Sequence, residues 1–277
     1  MNAVLTITRI ERQKRNDERY NIFIEKKHNK GDEFGFSVDQ DVLISYGLKK
    51  GMQIDSKLME KIAFDDMVKK GLNQSLRFLS YRMRSQKEII DYLKTKEISD
   101  NAIAMILDKL SSYGYTDDLE FGKTFVKSRM NASSKGPTVI AKELFEKGLD
   151  RKKIDKSLEE FDEETQLENA RSFALKNAKK HKRSSSKEIR QKVSQNLASK
   201  GFSWEIIENV FDEVSLEKDE EEQWDAILYQ GKKAHRKYKK YDGYEYKQRM
   251  KQYLYRKGFS ISLIDRLLEE GREELND

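Results

Sequence analysis

The chain has no cysteine among its 277 residues, so it can form neither a disulfide nor a thiolate metal site. Its three histidines, His28, His181 and His235, are far apart and have no metal-type partners nearby in sequence. The motifs His-Glu-x-x-His, Gly-x-Gly-x-x-Gly and Gly-x-Ser-x-Gly do not occur. These absences argue against catalysis, and we expect neither an enzyme nor a bound metal or cofactor.

Long apolar runs are also absent. The first apolar segment, "AVLTITRI", is interrupted by charge and is too short for the apolar region of a signal peptide. No run approaches the roughly 20 apolar residues that a membrane-spanning helix needs. We therefore expect a soluble cytoplasmic protein without membrane contact, and the lack of cysteine fits a reducing compartment.

Helix-breaking residues are scarce, because Pro137 is the only proline and there are only 14 glycines. Much of the chain is therefore free to be helical. The stretch "SQKE" (85–88) has the spacing of a helix capping box. Pro137 follows "SSKG" and is predicted to lie just inside the start of another helix, where its missing N–H costs nothing.

The first 40 residues or so have a different pattern. The segments "AVLTITRIERQ", "RYNIFIEKK" and "DEFGFSVD" are rich in β-branched and aromatic residues and partly alternate. This pattern predicts a small antiparallel meander of three strands. Three short strands are marginally stable alone, so we expect the sheet to pack on a helix that begins after Asp55 or Ser56.

From about residue 72 onward, one pattern occurs four times around the central pairs Lys96-Glu97, Lys147-Gly148, Lys200-Gly201 and Lys257-Gly258. Apolar residues recur eight and four positions before the second residue of each pair, and one, six and ten positions after it. In chain order these residues are Ile89, Leu93, Ile98, Ile103 and Leu107; Ile140, Leu144, Leu149, Ile154 and Leu158; Val193, Leu197, Phe202, Ile207 and Phe211; and Met250, Leu254, Phe259, Ile264 and Leu268.

The spacing of four on both sides of each pair predicts two amphipathic helices joined by a tight turn. Glycine supplies the left-handed residue that ends the first of these helices. Glu97 stands at that place in the first repeat, so it should be strained or should use a different turn.

The central pairs leave about 25 residues per unit for one more helix upstream, such as "NQSLRFLSYR" in the first unit. We therefore predict a mainly α protein of tandem three-helix repeats that form an elongated array, with a small N-terminal antiparallel β-containing domain. The predicted domains are 1–60 (β-meander plus helix), 61–118, 119–168, 169–222 and 223–277.

The stretch "SYGYTDDLEFGKTFVKSR" (112–129) raises the question of a nucleotide or metal site, because Asp117 and Asp118 precede Gly122-Lys123-Thr124. A Walker A loop needs a glycine at position 117, where aspartate stands. We interpret the stretch as the joint between two repeats, in which one of the two aspartates caps the next helix.

Cations cluster at comparable places in the four repeats, although the net charge is only +6. A row of such clusters is suited to a polyanion, with phosphate contacts that salt weakens. The candidate partner-binding residues are Arg77, Arg82, Arg84, Arg129, Lys135, Lys179, Lys180, Lys182, Arg183, Arg236, Lys237, Lys239 and Lys240.

A simpler interpretation of these clusters stays open. The lysines could merely keep exposed helices soluble, and the six tyrosines within 231–258 could merely pack between repeats. Runs of acidic residues such as "EEFDEE" and "EKDEEEQ" are interpreted as solvated faces.

Three motifs together resemble the RecX family, which regulates the bacterial recombinase RecA. They are Arg-x-Arg-Ser at 82–85, Gly-Tyr-x-Asp-Asp-x-x-Phe at 114–121, and Lys-Gly-x-x-x-Ile-x-x-Glu-Leu at 135–144. Gly122 stands where the family usually has alanine, and Glu97 stands where it has glycine. The resemblance is strong over about 72–160, and the N-terminal region resembles the longer versions from Gram-positive bacteria.

The resemblance implies a non-catalytic protein that binds the RecA–DNA filament along its groove. Such a protein inhibits the recombinase, ATPase and coprotease activities of RecA in homologous recombination, DNA repair and the SOS response. The implied partners are RecA and, weakly and without sequence preference, single- and double-stranded DNA; we expect a monomer. Two alternatives remain, a helical-repeat protein that binds nucleic acid directly and is unrelated to RecA, and a protein-interaction scaffold.

Overall fold

The computed structural model describes residues 4–26, 29–132, 135–271 and 274–275. Within these residues the chain forms four β-strands and thirteen α-helices. It divides into two compact units. The first unit extends to Phe121 and includes Lys147–Leu149, and the second contains Gly122–Glu146 and the chain from Asp150 onward.

The N-terminal sheet is antiparallel, with strand order β3-β2-β1-β4. Its strands are β1 (Leu5–Arg12), β2 (Arg19–Lys26), β3 (Asn29–Asp39) and β4 (Gln53–Ile54). The sequence predicted the first three strands. The fourth has only two residues, too few to show alternation, and it pairs with the start of β1.

Two helices follow from the sheet, α1 (Gln40–Ser45) and α2 (Ser56–Ser80). The side chain of Asp55, one of the two predicted caps, caps α2 by accepting from the backbone N–H of Leu58 at 2.7 Å. Ile62 of α2 is buried with the sheet, whereas Leu72 is buried in the first repeat. The helix predicted from Ser56 and the helix predicted at "NQSLRFLSYR" are thus one continuous helix. The predicted domain boundary between residues 60 and 61 lies inside this helix.

The remaining helices follow the predicted triplets, and we number the helices 1, 2 and 3 in chain order within each repeat. Repeat 1 consists of α2, α3 (Gln86–Lys94) and α4 (Asp100–Ser112). Repeat 2 consists of α5 (Asp118–Ala132), α6 (Pro137–Glu146) and α7 (Arg151–Leu158). Repeat 3 consists of α8 (Glu163–Ala178), α9 (Ser186–Ser199) and α10 (Trp204–Glu213). Repeat 4 consists of α11 (Glu220–Tyr238), α12 (Gly243–Arg256) and α13 (Ile261–Glu269).

The repeating apolar positions form the cores of the repeats. All of them are buried except Leu107 and Leu158, which are half-buried. The mainly α fold of three-helix repeats and the N-terminal antiparallel sheet are therefore confirmed.

The turn between helix 2 and helix 3 has the same form in every repeat. Gly148, Gly201 and Gly258 have φ of 89°, 91° and 85°, and Glu97 has φ of 60°. In repeats 1, 3 and 4 the N–H of the following residue donates to the carbonyl five residues back, at 3.3 Å. The predicted strain at Glu97 is confirmed, and the alternative of a different turn is wrong.

The predicted helix starts are also confirmed. Ser85 and Glu88 form the capping box, with each side chain accepting from the other residue's backbone N–H at 3.2 Å. Pro137 is the first residue of α6. Asp117 caps α5 by accepting from the N–H of Leu119 at 2.7 Å, so the aspartate pair lies at a joint.

Candidate protein and nucleic-acid interface

The predicted cations occupy one place in every repeat, the last turn of helix 1 and the loop that leads to helix 2. We call this place the basic corner of the repeat. In repeat 1, Arg77 lies in the last turn of α2, and Arg82 and Arg84 lie in the loop before α3. In repeat 2, Arg129 lies in the last turn of α5, and Lys135 lies in the loop before α6.

Repeats 3 and 4 carry more cations at their basic corners. In repeat 3 they are Lys179 and Lys180, in a 3-10 turn that extends α8, followed by Lys182 and Arg183. In repeat 4 they are Arg236 and Lys237, in the last turn of α11, followed by Lys239 and Lys240. All eight residues are exposed. The carbonyl groups at a helix C-terminus favour nearby cations, so the placement has a local electrostatic reason.

Arg82 is already engaged in an ion pair within the protein. Its Nη2 lies 2.9 Å from Oε1 of Glu88, and Nζ of Lys147 donates to the same carboxylate at 3.0 Å. Burial acts to raise the pKa of Glu88, but the hydrogen bonds from Arg82 and Lys147 outweigh it and lower the pKa to about 2. A partner anion would have to compete with this carboxylate for Arg82.

The corner of repeat 2 has a similar internal carboxylate. Arg129 and Lys135 both pair with Glu143, and the Arg129 Nε lies 2.9 Å from its Oε2. Burial opposes ionisation of Glu143, but the two cations lower its pKa. Both predicted contact residues of this corner are therefore partly neutralised.

Arg84 is in a different situation. Its guanidinium lies over the ring of Phe78, 4.0 Å from the centroid, and Phe78 stacks on Tyr92 with centroids 4.3 Å apart. Its Nε is buried and has no hydrogen-bond partner among the described residues. Desolvation, followed by repulsion from Arg82, lowers the pKa of Arg84. An arginine held flat in this way is preorganised to bind a carboxylate or phosphate.

The six tyrosines of 231–258 divide into two groups. Tyr238 is buried in the core of repeat 4, and Tyr241, Tyr246 and Tyr253 pack against that core. Tyr244 and Tyr255, in contrast, are 78% and 62% exposed. The packing interpretation therefore holds for four tyrosines, and two rings remain accessible to a partner.

Successive repeats meet at a recurring contact that the sequence reasoning missed. The start of helix 2 in one repeat touches the turn between helix 2 and helix 3 of the next repeat, and we call this contact a repeat joint. The joints contain the Lys147 Nζ to Glu88 bond (3.0 Å), the Gly136 N–H to Lys200 carbonyl bond (2.8 Å) and the Ser185 hydroxyl to Lys257 carbonyl bond (2.6 Å). The recurring Lys-Gly pair was the sequence signal for these joints.

Glycine is needed in these turns for space as well as for backbone conformation. A Cβ added to Gly148, Gly201 or Gly258 would come within 2.6–2.7 Å of an atom of the preceding repeat. The turn of the first repeat has no earlier repeat to approach, and the side chain of Glu97 is exposed. Position 97 therefore tolerates a side chain that the other three positions exclude.

The first joint also includes an aspartate that the sequence left ambiguous. Asp118 is buried, and its Oδ1 accepts from the backbone N–H of Gln86 at 2.9 Å. The two adjacent aspartates therefore serve different helices, because Asp117 caps α5 and Asp118 contacts the start of α3.

The described residues form neither a membrane span nor a metal centre. Among the described helices, none has the length and apolar character required to traverse a lipid bilayer. Nor do the described residues place three or more histidine, aspartate or glutamate side chains where they could hold a metal ion.

Comparison with family models accounts for most of the chain. The model described as "Regulatory protein RecX N-terminal domain" matches residues 5–55. The models of the first and second three-helix domains of RecX match residues 72–110 and 117–158. The model of the third three-helix domain matches twice, at 164–211 and at 220–268. The chain belongs to the RecX family.

Relatives of this RecX-family chain match it along nearly its full length. A protein from Bacillus licheniformis named "Regulatory protein RecX" is 45% identical over 265 residues, which cover 95% of this chain and 98% of the relative. One of the same name from Bacillus mycoides is 41% identical over 268 residues, covering 97% and 98%. The resemblance predicted from the three motifs is thus confirmed.

Solved RecX structures have a similar fold. One, described as a crystal structure of regulatory protein RecX, has a TM-score of 0.65 at 34% identity and covers 75% of this chain and 99% of its own. RecX from Lactobacillus salivarius has a TM-score of 0.52 at 33% identity and covers 54% and 97%. The relatives are named as regulatory proteins, which agrees with the expectation of a non-catalytic role.

Proposed function

We propose that this RecX-family chain binds the filament that RecA forms on DNA and inhibits its recombinase, ATPase and coprotease activities. It acts without catalysis, in the cytoplasm and as a monomer, in recombinational repair and the SOS response. Family membership supports the regulatory role. The structural observation that supports a polyanionic partner is that the predicted cations occupy the basic corner of every repeat.

The mechanism depends on several weak contacts acting together. Each basic corner contacts DNA phosphate or an acidic RecA surface, and successive contacts strengthen one another through their high effective concentration. Phosphate contacts confer affinity without sequence preference. Binding across neighbouring RecA subunits then opposes the rearrangements that accompany ATP turnover.

The candidate residues should contribute unequally. Arg84 is preorganised on Phe78 and pairs with a carboxylate or phosphate of the partner. Arg82, Arg129 and Lys135 must first release an internal carboxylate, so their contributions are smaller. The exposed cations of repeats 3 and 4 supply most of the long-range attraction.

The proposal is tested by titrating the chain into RecA and measuring ATP hydrolysis on single-stranded DNA. The wild-type chain should inhibit at well below one copy per RecA. A variant of the corner of repeat 3, Lys180→Glu with Lys182→Glu, should require several-fold more protein because it repels anions. The matched control, Lys152→Glu with Lys156→Glu, makes the same charge change on exposed lysines of α7 and should inhibit like the wild type.

The results also discriminate between the alternatives. A nucleic-acid-binding repeat protein unrelated to RecA would bind naked strands tightly with a steep salt dependence, and it would lower the RecA ATPase only in amounts large enough to cover the DNA. A protein-interaction scaffold would show neither effect. Absence of inhibition at equimolar chain and RecA would overturn the proposal.

A further inference from the structure

An open cleft of about 490 Å³ lies in the second unit where repeats 3 and 4 meet. The start of α9 contributes Lys187 to its lining, and the end of α11 contributes Lys237. The last turn of α12 and the residue after it contribute Tyr255 and Lys257. Neither repeat alone contains the cleft, since its walls come from both.

The cleft is strongly cationic. Its lining includes Lys187, Lys237, Arg256 and Lys257 and a single carboxylate, Glu188. The Glu188 Oε1 lies 3.0 Å from the Lys192 Nζ and 3.5 Å from the Lys257 Nζ. Burial acts to raise the pKa of Glu188, but Lys192 and the other partners lower it, so the carboxylate is charged and already paired. The excess positive charge is available to an anion.

The lining of the cleft also includes an exposed tyrosine, Tyr255, which borders a neighbouring apolar pocket with Ile261 and Ile264 as well. Tyr255 is 62% exposed and contacts no other ring in the described part of the chain. Tyr253, in contrast, packs edge-on against Tyr238 with centroids 6.3 Å apart and forms part of the wall. An accessible ring beside phosphate-binding cations is the arrangement by which proteins hold single-stranded nucleic acid.

The repeat joint holds the two walls in place. The Ser185 hydroxyl donates to the Lys257 carbonyl at 2.6 Å, and Gly258 lets the turn approach α9 closely. An added Cβ at Gly258 would lie 2.7 Å from the Ser185 Oγ and 3.1 Å from the Lys187 Cβ. The distance between the cations of α9 and the ring of α12 is therefore set by a tight contact.

We propose that this cleft binds single-stranded nucleic acid, with phosphates at Lys187 and Lys237 and one base stacked on Tyr255. A duplex keeps its bases stacked inside, and an acidic peptide has no base to stack, so neither would use the ring in this way. The inference rests on the nucleic-acid contact of the proposed function and deepens it by assigning one form of nucleic acid to the joint between repeats 3 and 4.

The test measures fluorescence anisotropy of a labelled oligothymidine with the full chain and without RecA. The cleft variant, Tyr255→Ala with Lys237→Glu, should bind at least about five-fold more weakly, because removing one stacked base alone has an effect of that size. The matched control, Tyr244→Ala with Lys247→Glu, also removes an exposed tyrosine and reverses an exposed lysine, but outside the cleft. It should bind like the wild-type chain.

Single substitutions separate the two contributions. Tyr255→Phe keeps the ring and should retain affinity, whereas Tyr255→Ala should lower affinity without changing the salt dependence. Lys237→Glu should reduce the slope of log K against log salt by about 0.7 for each phosphate that the variant no longer neutralises. An oligonucleotide carrying 5-iodouracil should crosslink to Tyr255 on irradiation.

Three results would overturn the inference. The first is an equal drop in affinity for the cleft and control variants, which would indicate diffuse attraction. The second is Tyr255-dependent binding of duplex DNA as tight as that of the single strand. The third is Tyr255-dependent competition by polyglutamate, which would indicate an acidic protein partner. Since RecA is absent from the assay, each result leaves the ATPase test of the proposed function independent.

Discussion

At the residue scale, Glu97 has a left-handed backbone conformation that residues with a side chain rarely adopt. It is the only described residue other than glycine with a positive φ. A left-handed conformation costs a residue other than glycine about 1–2 kcal/mol, and replacing Glu97 by glycine would relieve this strain. Glycine also has more conformational freedom in the unfolded chain, which offsets part of the stabilisation. We expect Glu97→Gly to stabilise the chain by roughly 0.5–1 kcal/mol, measured by urea unfolding. The neighbouring substitution Lys96→Gly is the control and should destabilise; stabilisation by both would contradict the argument.

Glu88 is the residue whose protonation should affect stability most clearly. Its folded pKa of about 2 lies below the ordinary value of 4.5. A depressed carboxyl pKa stabilises the folded state above about pH 4.5, and this stabilisation is lost as the pH falls toward 2. Glu88→Gln should therefore reduce the free energy of unfolding at pH 7 and have a smaller effect near pH 3. A difference between variant and wild type that does not change with pH would contradict the role of the charged pair.

At the element scale, the turn glycines separate two kinds of constraint. Gly114 has φ of 72° and nothing within 4 Å of the position of an added Cβ, whereas Gly201 has φ of 91° and the backbone N of Val139 at 2.6 Å from that position. Gly114→Ala should cost about 1 kcal/mol for backbone strain alone. Gly201→Ala should cost roughly 2–4 kcal/mol, because the second joint must also open. Equal costs in denaturant unfolding would show that the joint is not tightly packed.

The elements also show where sequence patterns lose information. Helix periodicity identified the repeat cores because the contacts are local and each helix buries one face. The continuity of α2 was missed because the sequence pattern was interpreted as two separate helices, although no proline lies between them. Strand β4 was missed because its two residues are held by pairing with Leu5 and Thr6, far away in sequence.

The candidate site was predictable in position but not in pairing. Comparing the repeats was enough to locate every basic corner, because each follows the end of helix 1. Sequence alone could not show that Arg82 shares Glu88 with Lys147, a residue of the next repeat. Nor could it distinguish the accessible Tyr255 from the packed Tyr253, since helix position alone does not reveal what lies opposite.

At the scale of the whole molecule, the four repeats share one three-helix arrangement but differ in how many exposed cations their basic corners carry. The corners of repeats 1 and 2 contain cations that are paired with Glu88 and Glu143, whereas those of repeats 3 and 4 carry four exposed cations each. The corner test in the ATPase titration is therefore placed in repeat 3, where reversing Lys180 and Lys182 removes attraction and breaks no ion pair within the described part of the chain. Several such corners acting together should make inhibition depend steeply on the charge of any one of them.

The sequence by itself determined the helical triplets, the capping box at Ser85, a cap at either Asp117 or Asp118, an exceptional turn residue at Glu97 and the resemblance to the RecX family. These features depend on residues a few positions apart, so side-chain spacing and backbone conformation are enough to specify them. Tertiary structure alone decided the repeat joints, the sharing of Glu88 between Arg82 and Lys147, and the cleft beside Tyr255. Each of these brings together residues from different repeats, and their contact is decided by how closely a glycine turn lets one helix approach the next.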